Sequence, residues 1–188
     1  MAKKKVVKVI EDTEAVFGYL KGKCEWAKVL EVDDYGNYSV DIYPAEEDME
    51  AFKAHVEPVL AEAEAEVEGK AKAINEVVPV VKTKEGKEYI QFKLPELNWK
   101  DEPNHLEFYD LYGKKVENWD KLIGNGSILK IKYRAAPYYM NSTKNVGLSY
   151  RFYAVQVIDL VEYSGKGQSG FGDETGGGDA PFGTDEEF

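Results

Sequence analysis

The sequence predicts a mainly β protein: a small Greek-key barrel with one helix inserted after its second strand and an acidic, glycine-rich C-terminal tail. Three observations carry that expectation. Apolar residues alternate with other residues in short segments, as at Tyr38, Val40 and Ile42 and again at Ile90, Phe92 and Leu94, which is the period of a strand with one face in a core. Turn-forming clusters separate these segments, among them Asp33-Asp34-Tyr35-Gly36-Asn37, Lys84-Glu85-Gly86 and Gly124-Asn125-Gly126. One segment alone has helical spacing, through Met49, Phe52, Val56, Val59, Leu60, Ala63 and Val67.

Taken in order, residues 1–22 read as a mobile arm with Lys3, Lys4, Lys5 and Lys8 near its start. Lys23 to Val32 reads as a strand with Cys24, Trp26, Leu30 and Val32 inward, closing a hairpin with the Tyr38–Ile42 strand. The helix spans residues 45–68, with Gly69 as its stop and Pro58 as a break or kink. Its glutamate-rich outer face reads first as a solvated face, and secondly as a surface that repels stray nucleic acid. Val77–Thr83 and Lys87–Leu94 form a second hairpin, with Tyr89, Gln91 and Lys93 on the face opposite the core. Leu97–Pro103 is a loop, and Leu106–Tyr112 a short strand. Trp99 and Trp119 read as core or partly buried residues.

The strand after Gly126 places Lys130, Lys132 and Arg134 on one face and Leu129, Ile131 and Tyr133 on the other, and Ala135-Ala136-Pro137 ends it. Its partner runs from Gly147 to about Tyr163, apolar enough for burial on both faces, with Arg151 and Tyr153 near its start. Two strands, a helix and about five further strands suit a barrel of the oligonucleotide-binding (OB) type. A β-sandwich suits them too. Residues 1–164 form the domain; residues 165–188, with eight glycines, are expected to be disordered.

The formal net charge of -11 argues at first against a polyanionic partner, but the acid is segregated. Residues 45–68 carry -8 and residues 165–188 carry -5, so -11 + 13 leaves about +2 for the rest. Between Gly126 and Tyr153 there is no Asp or Glu; Lys130, Lys132, Arg134, Lys144 and Arg151 are interleaved with Tyr133, Tyr138, Tyr139, Tyr150, Phe152 and Tyr153. Cations that track phosphates beside rings that stack on unpaired bases suit single-stranded nucleic acid. Lys130, Lys132, Arg134, Tyr138, Tyr139, Arg151 and Tyr153 are therefore candidate contacts, with Tyr89 and Lys93 as a second, weaker surface. The competing reading is a solvated strand whose lysines protect an edge.

Other classes lack their parts. The lone Cys24 reads as a buried thiol and fits a reducing cytoplasm. No apolar run is long enough to span a membrane, and the N-terminus has no secretory pattern. His55 and His105 join no cluster at metal spacing, no glycine-rich phosphate loop precedes a helix, and no catalytic constellation is evident, so neither an enzyme nor a cofactor is expected. A rival of another class is an acidic decoy or adaptor that binds basic proteins without touching DNA. The tail ends Asp185-Glu186-Glu187-Phe188, suited to competing for a basic groove or to docking its terminal ring and carboxylate on another protein.

Residues 124–133, Pro137-Tyr138-Tyr139, Asn141 and residues 155–163 leading to an acidic tail with terminal phenylalanine resemble the single-stranded DNA-binding protein of short-tailed phages of the T7 lineage. Weaker similarity covers residues 1–4, residues 38–41 and the helix. The resemblance implies an OB fold, sequence-independent binding and annealing of single strands in phage replication and recombination, and action in the cytoplasm of an infected bacterium. It implies DNA contacts at Lys130, Lys132, Tyr138 and Lys3. It also implies Phe188 as the anchor of a tail that recruits the replicative DNA polymerase and helicase-primase, with a homodimer left open. Met140 stands where that family's pattern has tryptophan, and this tail is shorter and less acidic.

Overall fold

A computed structural model describes residues 8–162. Lys3 and the tail, with Asp185, Glu186, Glu187 and Phe188, lie outside the described residues.

Five strands close a barrel: β1 (Val16–Lys28), β2 (Asn37–Tyr43), β5 (Lys87–Pro95), β8 (Ile128–Met140) and β9 (Asn145–Asp159). Antiparallel pairing joins β5 to β2, β2 to β1, β1 to β8 and β8 to β9, and a parallel pairing at Lys93–Arg151 closes the ring. The fold is thus mainly β and OB-like. Shorter strands flank it: β3 (Glu76–Val77) and β6 (Glu107–Tyr109) pair parallel with β9, β4 (Lys82–Lys84) pairs with β5, and β7 (Lys115–Val116) pairs with β6.

Helix α1 (Glu46–Gly69) follows β2, as the periodicity predicts, and buries all seven apolar residues named for it. Three acids in its first turn favour that end of the helix dipole. Pro58 does not break it: Pro58 and Ala54 are both exposed, so the carbonyl that loses its partner faces water. Phe52 enters the barrel's end, 5.3 Å from the Tyr133 ring and 5.5 Å from that of Tyr150, while Phe92 meets the same two rings at 5.7 and 6.0 Å. With Val40, Ile42, Ile90, Leu94, Leu129 and Ile131 they form the core, each fully buried side chain contributing about 1.5–3 kcal/mol.

Several expectations need correction. The first strand starts at Val16, so the last seven residues of the supposed arm are sheet. There Leu20 and Cys24 point inward and Phe17, Tyr19, Lys21 and Lys23 outward. A bulge between Glu25 and Lys28 adds one residue to β1. Trp26 takes φ +53° at that bulge, its N–H donating to Asn125 Oδ1 at 2.9 Å. The extra residue inverts the alternation: Trp26 is 62% exposed and Val29, in place of Leu30, is buried. Ala135-Ala136-Pro137 does not end β8, which pairs with β9 as far as Met140. The strand expected over residues 77–83 divides into β3 and β4, and that expected over residues 106–112 shrinks to β6. Trp99 is 87% exposed, whereas Trp119 is half-buried and stacks on Phe108 at 5.7 Å.

Candidate nucleic-acid interface

The strand registers set the candidate residues into rows on the outside of the barrel. Phe17 of β1 pairs with Arg134 of β8, Arg134 with Arg151 of β9, and Arg151 with Lys93 of β5. One step along β8, Tyr19 pairs with Lys132, Lys132 with Ala154, and Ala154 with Glu107 of β6. One step further, Lys21 pairs with Lys130, Lys130 with Gln156, and Gln156 with Tyr109. Alternation turns all of these outward because their neighbours Leu20, Leu129, Ile131, Tyr133, Phe152 and Val155 fill the core.

None of Lys21, Lys93, Lys130, Lys132, Arg134 or Arg151 forms an ion pair among the described residues; the ion pairs found there use Lys53, Lys70, Lys115 and Lys121. Unneutralised cations held in rows are available to an external polyanion. Rings stand among them. Phe17 is 60% and Tyr19 63% exposed, and Lys130 Nζ lies 5.4 Å from the centre of the Tyr19 ring. The backbone beneath Phe17 is fixed from the helix, where His55 Nε2 donates to the Phe17 carbonyl at 3.0 Å.

Tyr138 lies further along the same strand, opposite Gly147. A Cβ on Gly147 would fall 2.7 Å from the Tyr138 hydroxyl oxygen, so the missing side chain lets the ring lie across β9. Burial raises the Tyr138 pKa, with the nearby Glu76 carboxylate adding to the rise. Tyr138 helps to line a hollow of about 420 Å³ with Lys82, Lys93, Ser149 and Arg151. The outer rows and this hollow meet at Lys93 and Arg151.

The remaining candidates stand elsewhere. Tyr139 packs against the core, its hydroxyl donating to the Ala73 carbonyl at 2.7 Å. Tyr153 is the extra residue where the β8–β9 register shifts, and it packs half-buried against the core, so it does not continue the Arg151 face by simple alternation. Tyr89 is half-buried and stacks on Tyr43 at 5.1 Å. Phe17, Tyr19, Lys21 and Tyr109 were not among the expected contacts. The signal for the first three is the strict alternation from Val16 to Cys24, masked by the assignment of residues 1–22 to an arm.

Among the described residues no cluster of His, Cys, Asp or Glu could hold a metal ion, and no helix is long and apolar enough to cross a membrane. Cys24 is buried, which pushes its thiol pKa up to about 11.

No protein-family model matches the chain. Over 70 residues it is 31% identical to the single-stranded DNA-binding protein of Enterobacteria phage T3; the match covers 37% of this chain and 30% of that protein's length. The crystal structure of the single-stranded DNA-binding protein encoded by bacteriophage T7 superposes with a TM-score of 0.67 at 23% identity, covering 89% of this chain and 100% of that one. The single-stranded DNA-binding protein of bacteriophage Enc34, solved in complex with single-stranded DNA, superposes with a TM-score of 0.55 at 14% identity, covering 87% and 100%. At such identities the structural likeness is one of fold. The resemblance drawn from the residues around Gly124 to Tyr163 is thus met twice, in sequence with a phage T3 protein and in architecture with the phage T7 and Enc34 proteins.

Proposed function

We propose that the chain binds single-stranded DNA, independently of its sequence, across the outer face of β1, β8 and β9, with Lys93 of β5 at its edge. One observation carries the reading: on that face Lys21, Lys130, Lys132, Arg134, Arg151 and Lys93 stand in rows, without ion pairs among the described residues, beside the exposed rings of Phe17 and Tyr19. The ammonium and guanidinium groups take phosphates. The rings take bases, each stack contributing about 1–3 kcal/mol. Duplex DNA keeps its base faces covered and offers such a surface only its phosphates. The nucleic acid named for the phage relatives is the same.

Finer parts of the proposal rest on that reading. The protein acts in phage replication and recombination inside an infected bacterium, protecting and annealing single strands. Its acidic tail recruits the DNA polymerase and helicase-primase through Asp185, Glu186, Glu187 and Phe188, and Lys3 adds a phosphate contact from the N-terminus.

The test is a fluorescence-anisotropy titration of a labelled thymidine oligonucleotide over a range of salt, with duplex DNA as competitor. Binding should weaken with salt at a log-log slope of about -0.7 per phosphate neutralised, and duplex should compete poorly. No binding at low salt, with or without the tail, would sink the proposal in favour of an acidic adaptor for basic proteins.

A further inference from the structure

Beside the Tyr19, Lys132, Ala154 and Glu107 row the surface sinks. Ala154 is the only small residue of that row, and with no side chain beyond Cβ it leaves a floor between Lys132 and Glu107. The hollow above it has a volume of about 300 Å³, walled by Tyr19, Lys130, Lys132, Glu107, Tyr109 and Gln156. That is room for one nucleobase, with an exposed ring on one side.

Its polar groups are unequal. Both Nε2 hydrogens of Gln156 are engaged, donated to the Asp110 and Leu111 carbonyls at 3.2 Å each, which leaves Oε1 as the amide's free group. Glu107 accepts from the Tyr109 hydroxyl at 2.9 Å and from Lys115 Nζ at 3.4 Å. Those bonds fix the carboxylate and lower its pKa, the tyrosine contributing most. A carboxylate has about four lone-pair sites and these bonds use two, so acceptor capacity remains. The two lysines are drawn to phosphate. What the β6–β9 side offers a base is therefore hydrogen-bond acceptors, Glu107 foremost.

We infer that this hollow is a nucleobase pocket selective for bases with an exocyclic amino group, with the Glu107 carboxylate accepting from that amino group while Tyr19 stacks on the ring. Cytosine presents N4–H₂ where thymine presents an O4 acceptor, and carboxylates accept from cytosine N4 in known modes of base reading. Thymine places O4 against the carboxylate and is disfavoured. The inference rests on the proposed single-strand binding and adds to it a graded preference at one nucleotide position.

The comparison is between labelled oligo-dC and oligo-dT of equal length, at neutral pH and fixed salt, with the full-length protein. Two pyrimidines of similar ring area cancel most of the difference in stacking. Wild-type protein should bind oligo-dC about three- to ten-fold more tightly, the ratio that one net hydrogen bond supplies. Glu107→Leu should bring the ratio to parity, and because the ratio is what is read, the general gain from deleting a negative charge cancels. The Glu107 side chain is 49% exposed, which makes this a mild change for the fold. Oligonucleotides of N4,N4-dimethylcytosine, which lack the donor, should lose the advantage with wild-type protein, a check that needs no variant. Equal binding of oligo-dC and oligo-dT would overturn the pocket and leave single-strand binding standing. A preference that survives Glu107→Leu or dimethylation would overturn the role of Glu107. No binding of either strand would remove the underlying function and the pocket together.

Discussion

Arg134 and Arg151 sit directly opposite one another across β8 and β9, neither in an ion pair among the described residues. Like charges directly opposite one another destabilise a sheet, an opposition that a bound polyanion relieves. Arg134→Met or Arg151→Met should therefore raise the urea midpoint while weakening single-strand binding and flattening its salt dependence by about 0.7 in slope for each phosphate left unneutralised. A variant that binds as tightly as wild type with an unaltered slope removes that arginine from the interface.

Two tyrosines separate the roles of ring and scaffold. Tyr19 is exposed among cations, whereas Tyr139 turns its hydroxyl onto the Ala73 carbonyl. Tyr19→Ala should cost about 1–3 kcal/mol of binding with little change in unfolding. Tyr139→Ala should cost at least about 1 kcal/mol of stability through its missing hydrogen bond alone, and leave the affinity of the folded fraction unchanged. Equilibrium unfolding and anisotropy on the same samples read both; the reverse pattern would exchange the assignments.

The Glu66 carboxylate gathers the backbone N–H groups of Glu11, Asp12 and Thr13, the Thr13 hydroxyl and the Lys70 ammonium. These donors, the Glu11 and Asp12 amides first, hold its pKa well below the ordinary carboxylate range. A depressed folded-state pKa stabilises fully above the unfolded value, near 4.5 for this group, and the benefit is lost as pH falls below it. Glu66→Gln should thus unfold at lower urea than wild type at neutral pH, and the gap should narrow at acid pH. A gap independent of pH would contradict the ionic clamp.

Gly22 lies where β1 crosses β2, and a Cβ there would stand 2.6 Å from the Tyr43 carbonyl oxygen and 2.8 Å from Ile42 Cγ2. Backbone cannot swing aside as a side chain can. Gly22→Ala should destabilise by about 1–3 kcal/mol, measured by chemical denaturation. Wild-type stability in this variant would mean that the two strands pair less closely.

Removing residues 165–188 takes away five net negative charges. If the tail competes for the cationic face, the truncated protein should bind single strands more tightly, most of all at low salt. Unaltered affinity would end self-competition while leaving tail recruitment of other proteins open to its own assay.

The helix, the core face of β5 and the cationic face of β8 were legible because each follows one unbroken period. Met49 to Val67 is helical throughout, and Lys130, Lys132 and Arg134 alternate with Leu129, Ile131 and Tyr133. What misled was a single inserted residue or a neighbour distant in sequence. The bulge at Trp26 shifts the phase, so an inward reading of Cys24 does not carry to Trp26. The shift at Tyr153 does the same on β9. Phe17 and Tyr19 gain their meaning from Arg134 and Lys132, more than a hundred residues away, a register that local composition does not encode. Tyr138 and Tyr139 are adjacent and chemically alike; only the pleat of the sheet sends them to opposite sides.

That β1–β8 pairing also bears on timing. A ribosome releases β1 long before β8, and the loop between Phe17 and Arg134 must close before Phe17 and Tyr19 have Arg134 and Lys132 beside them, whereas Arg134 meets Arg151 through the short β8–β9 turn. Topologies dominated by such distant pairs fold slowly, since loop entropy is lost before contacts compensate for it. A nascent chain therefore assembles the cation rows of β8 and β9 as a local hairpin, and sets the rings of Phe17 and Tyr19 beside them only with the closure of the ring.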